Sequence, residues 1–214
     1  FMIGLIDGRL QLKGPIVKGK TSFNVAFRRS WMDAVLAPVI SLVNRKNQKG
    51  ETVGGTYSFY DLNASVTHRF SEDNILSLKF YHGRDHLKLK LDTEKSMAYT
   101  EEGETRTAYG TDRLHTDIGW GNTLASLNWR YRILDNLKMR TMLYYTGSSA
   151  DVRYFMNMWG FDNTEHNTSV DETNLSRIND AALTTDFSWQ PSGVHNVRFG
   201  ASYQLHLYSP SRRT

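Results

Sequence analysis

Cysteine is absent from the chain, so neither a disulfide nor a thiolate metal site can form. That leaves the compartment open, because disulfides point to an oxidising environment while their lack points nowhere. Proline is scarce. The four residues, Pro15, Pro38, Pro191 and Pro210, all fall outside the stretches that alternation marks as strands, as a hydrogen-bonded sheet requires. No apolar run approaches the ~18 residues of a membrane helix, and the best candidate, Met32 to Val43, is interrupted by Asp33 and Pro38. Charge of one sign is lacking too. Lys and Arg number 26 against 22 Asp and Glu, and a net charge of +4 is too mild and too mixed to imply a nucleic-acid partner. A mean hydropathy of −0.51 reads as water-soluble, but it does not exclude a membrane barrel, whose lipid face uses only alternate residues.

What the chain does have is alternation. Gly14 to Asp33, GPIVKGKTSFNVAFRRSWMD, opens on a Gly-Pro turn signal, and Thr21 to Met32 then reads as a strand. Phe23, Val25, Phe27 and Trp31 share one parity with Arg29, while Asn24, Ala26, Arg28 and Ser30 share the other. Such a strand faces something apolar on one side and water on the other. The pattern recurs in Gly4–Lys13, Tyr57–Phe70, Ile75–Leu91, His115–Arg132, Leu137–Arg153, Ile178–Gln190 and His195–Tyr208. In the fourth strand the apolar parity passes from Leu76, Leu78 and Phe80 to Leu87, Leu89 and Leu91, which predicts a bulge near Gly83. The fifth switches in the same way, from Ile118 and Trp120 to Ala125, Leu127, Trp129 and Tyr131.

Short and long connections alternate. Short turns begin near Gly14, Ser71, Ile133 and Pro191, roughly sixty residues apart. The long polar connections are Asp33–Gly55, whose first part reads as a short helix broken near Pro38, Asp92–Leu114 and Tyr154–Arg177. The expected fold class is therefore all-β, an antiparallel up-and-down meander of about eight long strands, part of a transmembrane β-barrel. Short turns on one rim and long loops on the other are the pattern of an outer-membrane barrel, and Phe70, Trp129, Tyr131, Trp189 and Phe199 lie near the short turns, where an interfacial girdle belongs. Residues 1–214 read as a single domain, a fragment of a larger protein, since Phe1 is no initiator and strand-like sequence starts at once.

Candidate chemistry is sparse. His82 and His86 flank Asp85, a zinc spacing on a helix, but on a strand they stand ~13 Å apart and cannot share an ion. No nucleophile-elbow pattern points to a hydrolase. The expectation is no enzyme, no metal and no cofactor. Asp162, Asn163, Glu165, Asp171 and Glu172 make the third connection acidic without the calcium-loop pattern. Arg28, Arg69, Arg130, Arg132, Lys138, Arg140 and Arg198 share the polar parity and suit anionic solutes or a charged partner inside the barrel. Tyr99, Tyr109, Tyr154, Phe155, Trp159 and Phe161, in the long connections, are the candidate substrate-contacting residues.

The stretch Gly8 to Asp33 resembles the start of the barrel in TonB-dependent outer-membrane receptors of the Bacteroidetes type. The matching features are Gly14-Pro15, the Lys-Thr-Ser-Phe of Lys20 to Phe23, and the Arg-Arg-x-Trp-x-Asp from Arg28 to Asp33. The resemblance implies a barrel of about 22 strands in the cell outer membrane, filled by an N-terminal plug domain. It also implies uptake of a nutrient ligand driven through an energy-coupling protein. The alternatives are a complete small outer-membrane barrel with a structural or adhesive role, and a barrel-embedded hydrolase. As an isolated piece, the chain is expected to associate edge to edge or through its apolar face, or to close on itself into a smaller barrel.

Overall fold

The computed structural model describes residues 1–46, 50–159 and 168–213. The strands are β1 (Met2–Ile3), β2 (Asp7–Val17), β3 (Thr21–Ser30), β4 (Glu51–Ser71), β5 (Asn74–Glu101), β6 (Glu104–Leu134), β7 (Leu137–Met158), β8 (Thr168–Trp189) and β9 (Val197–Arg213). They form one antiparallel sheet in sequence order, β1 to β9, so each strand pairs only with its chain neighbours. A single helix, α1 (Met32–Lys46), joins β3 to β4.

The alternation read from the sequence places the side chains correctly. Phe23, Leu62, Leu78, Leu127, Leu143, Leu183 and Tyr203 share one face through the register pairs Phe23↔Val66, Val66↔Leu78, Leu78↔Leu127, Leu127↔Leu143, Leu143↔Leu183 and Leu183↔Tyr203. Val25, Phe27, Phe187 and Phe199 lie on this Leu78 face as well. Asn24, Arg28, Asn63, Ser65, Lys79, Arg140 and Arg198 lie on the opposite, Lys79 face.

No bulge occurs near Gly83. The ladder runs unbroken through Asp61↔Gly83 and Gly83↔Asn122, and register shifts occur only next to the short turns. Leu87, Leu89 and Leu91 therefore lie on the Lys79 face with Ile118, Trp120, Val152, Tyr154 and Met156. The Leu78 face at the same height carries Arg84, His86, Lys88, Lys90, His115, Asp117, Asp151 and Arg153. The two faces exchange polarity partway up the sheet. The parity switch marks a change of surroundings along unbroken strands, where the sequence reading inferred a break in one.

Strand ends differ from the sequence reading in further places: β4 starts at Glu51, inside the expected Asp33–Gly55 connection, and the expected Tyr154–Arg177 connection is in large part strand, since β7 runs to Met158 and β8 starts at Thr168. Strand β2 runs through Gly14 and Pro15, leaving a tight turn at 18–20, and Pro210 lies within β9. Both prolines are tolerated because they sit on edges: β1 pairs with β2 only at Gly8 and Arg9, and β9 pairs only with β8. The Asp92–Leu114 connection is a hairpin extension, with a two-residue turn at Glu102 (φ 53°) and Gly103 (φ 84°). Two positive φ values in succession make this the hairpin turn whose twist matches the flanking strands. Helix α1 continues through Pro38. Its first turn is fixed by Ala34 and Val35 N–H bonds to the Trp31 carbonyl, and its second half by Asn44, whose amide bonds both the N–H (2.9 Å) and the C=O (2.8 Å) of Val53. These two anchors hold the helix across the missing proline N–H. The Asn44 bonds also occupy the edge of β4 above the last β3 pair, Arg29↔Tyr60.

The sheet is one layer thick. Among the described residues the only apolar side chain that is buried is Ala182. Leu78, Leu143, Leu183, Phe199 and Tyr203 are about half exposed or more.

Candidate functional site

Midway up the Lys79 face, where its polar lower half gives way to its apolar upper half, β3 to β6 bring an aromatic and charged cluster together. Arg28 donates to the Asp61 carboxylate from Nη2 (2.7 Å) and Nε (2.8 Å), with Asp7 at 3.9 Å. Its guanidinium lies 4.7 Å from the centre of the Phe59 ring, a cation–π contact that also fixes the ring's orientation. Phe59 neighbours Tyr57 at 6.1 Å, and Tyr57 stacks on Trp120 at 6.3 Å with 23° between the rings. The Tyr57 hydroxyl donates to Asp85 at 2.5 Å. Ser30, fully buried at the end of β3, accepts the Phe59 N–H at 2.8 Å and holds β4 in place where β3 stops.

Burial, then the hydrogen bond and charge of Asp85, push the Tyr57 hydroxyl up to about 12, against a smaller opposing effect of Arg28. Both leading causes penalise the phenolate. The folded state thus holds this proton more tightly than the unfolded chain. The stabilisation is complete below the unfolded value of 10.0 and disappears as pH rises through about 12. In an ultraviolet difference titration, one tyrosine should ionise near pH 12, about two units above the ordinary value of 10.0. Tyr57→Phe should remove that late step and Asp85→Asn should move it earlier. A late step that survives Tyr57→Phe would assign the shift elsewhere.

The cluster offers two flat ring surfaces beside a carboxylate and a guanidinium. That combination suits binding and orientation of a ligand with flat apolar faces and polar edges. The residues singled out from sequence are distributed otherwise. Tyr99 and Tyr154 lie on the Lys79 face, and the Tyr154 hydroxyl is 3.5 Å from the Met156 sulfur. Tyr109, 78 % exposed, and Phe155, 5.7 Å from the His115 ring, lie on the Leu78 face. Tyr154 and Phe155 point apart because they are successive residues of one strand. Trp159 lies against Gly110, and its N–H bonds Asp112 at 2.9 Å. Lys95 and this N–H hold the Asp112 carboxyl below its ordinary value of 3.8 in spite of its burial. Phe161 lies outside the described residues, as do Asp162, Asn163 and Glu165. Alternation alone does not single out Tyr57, Phe59 and Trp120, because a parity switch in β6 puts Trp120 on the outward side. An unbroken alternation across Gly121 would have placed it with Tyr57.

His82 and His86 engage separate partners, His82 with Thr123 at 2.9 Å and His86 with Asp117. Among the described residues no group of His, Asp and Glu side chains is gathered for a metal. The motif Arg-Arg-x-Trp-x-Asp has a structural account. Arg28 anchors the cluster, Trp31 lies over Gly8 and donates from Nε1 to the Leu5 carbonyl (2.9 Å), and Asp33 sits in the first turn of α1 with Arg29 3.8 Å away. No family model matches the chain, and no curated protein matches its sequence.

Proposed function

We propose that this chain is the N-terminal part of the barrel of an outer-membrane receptor of the TonB-dependent kind, working in nutrient binding and uptake. The observation that carries the proposal is the continuous apolar band on one side of a single-layer sheet. Burying no apolar side chain but Ala182 among the described residues, the chain cannot hide this band from water by itself. A hydrocarbon phase covers such a band without a second protein layer. The aromatic placement agrees: Trp129 stacks on Tyr131 at 5.7 Å and Phe187 on Phe199 at 5.1 Å, next to the short turns on the Leu78 face. The strands β5 and β6, 28 and 31 residues long, far exceed the ~9–11 residues that cross a bilayer. Their excess rises on the rim opposite the short turns. There the Lys79 face becomes apolar and aromatic and borders the lumen, where a solute would pass.

The test uses the whole protein that carries this chain, expressed in an outer membrane. Solute accumulation is measured across a panel of nutrients, with and without proton-motive force. Energy-dependent accumulation that Trp120→Ala reduces at least tenfold is the expected result. Recovery of the protein in the soluble fraction, or a membrane location with no energised uptake of any solute, would overturn the proposal.

A further inference from the structure

A cavity of about 770 Å³ lies beside the short turns on the Lys79 face, lined in part by Arg130, Arg132, Lys138, Arg140, Asp186 and Arg198. The register makes this cavity unusual. Arg130 is directly opposite Arg140, and two residues away Arg132 is directly opposite Lys138. Four cations thus form a square on two adjacent strands, and Arg198 approaches from β9 in the same row, with Ser188 between it and Lys138. Like charges directly opposite one another destabilise an antiparallel pair, so two such pairs side by side carry a standing cost. Arg132 relieves part of it through Asp73 at 2.7 Å. Among the described residues no carboxylate lies within 4.0 Å of Arg130, Lys138, Arg140 or Arg198. Asp186, though paired in register with Arg140, leans instead over Gly200, whose missing side chain leaves it room.

We propose that this cradle seats an acidic protein segment, with carboxylates taking the guanidinium groups of Arg130, Arg140 and Arg198. Guanidinium forks match carboxylates in bidentate geometry; Arg130 and Arg140 stand on adjacent strands about 4.8 Å apart, and Arg198 stands two strands beyond Arg140, so carboxylates spread along one extended acidic segment reach all three. The repulsion exists whenever the sheet is folded. The group that offsets it is therefore resident, as a protein segment is, in contrast to a solute that comes and goes. A lipid headgroup is disfavoured because the cradle opens on the face away from the apolar band. The inference rests on the sheet's register and charge, and stands apart from the transport reading.

The test is a titration of the chain in zwitterionic detergent at low salt with a fluorescent hexaglutamate peptide. Arg130→Gln/Arg140→Gln should weaken binding at least tenfold, whereas Arg113→Gln/Arg177→Gln, an equal charge change far from the cradle, should leave it within twofold. The urea midpoint of the cradle variant should rise, because the like-charge pair is gone. A purely structural role for the arginines would lower it. Lys138→Gln, a milder change, checks both readouts should the double variant misfold. Equal weakening by both double variants, a fall in the midpoint, displacement of the peptide by inorganic phosphate at similar concentration, or its displacement by phosphatidylglycerol vesicles would each overturn the proposal.

Discussion

Leu143→Arg is expected to lower the stability of the chain in a phospholipid bilayer by about 2–4 kcal/mol, the cost of an arginine near the bilayer midplane on the lipid face of a barrel. Leu143 is in the middle of the apolar band, between Leu127 on β6 and Leu183 on β8, and is 51 % exposed. A guanidinium there has no carboxylate neighbour on its own face and must either lose its hydration or thin the lipid to keep it. The comparison change Gln204→Arg is exposed on the opposite, Lys79 face, so its effect should stay within about 0.5 kcal/mol in the same bilayer, as for other surface substitutions. Urea unfolding followed by tryptophan fluorescence, in vesicles and in detergent, measures both. Equal losses on the two faces, or no loss at Leu143 in lipid, would remove the membrane from the account of this fold.

That asymmetry between faces is the part of the structure most legible in the sequence. A period of two residues fixes the side of every strand residue once one is known, and Phe23, Val25 and Phe27 fix it for β3. Less legible is what lies beyond each face. At Leu87 the apolar parity changes, and two physical solutions exist: an inserted residue that keeps apolar groups on one side, or unbroken strands that pass from one environment into another. Local sequence cannot choose between them, because the choice depends on where the lipid or other cover ends. The same ignorance hid the site, since Trp120 joins Tyr57 only if β6 runs unbroken. The ends of strands were obscured by composition. Residues 92–114 are polar on both faces and resemble a loop, yet Glu102-Gly103 supplied a hairpin turn in plain view. Pro15 and Pro210 looked like strand terminators because edge position is a property of the whole sheet and invisible in one strand.

Edge position also sets the second large effect. Strand β9 contributes 17 residues with one side unpaired, and β2 is unpaired beyond Arg9. In hydrocarbon each unsatisfied N–H or C=O costs several kcal/mol, and roughly ten residues of each edge would lie in the bilayer. The sum exceeds the whole stability of an ordinary domain, about 5–15 kcal/mol. A lone open sheet therefore cannot stay in lipid. Its edges must pair with the rest of a larger barrel, with each other, or with a second copy. With no partner supplied, two copies are expected to join along β9, through the backbone groups that this edge leaves unpaired. The absence of native cysteine makes the test clean. Gln204→Cys, near the middle of β9, should give a disulfide-linked dimer on oxidation in vesicles. Tyr144→Cys, inside the paired sheet, should stay monomeric under the same conditions. A Gln11→Cys/Gln204→Cys variant that cross-links within one chain would instead show closure of β2 on β9 into a small barrel, because those residues lie on the two outer strands. A monomer in lipid with neither cross-link, both edges open and the full strand content retained, would mean that the apolar band is covered by something other than a membrane.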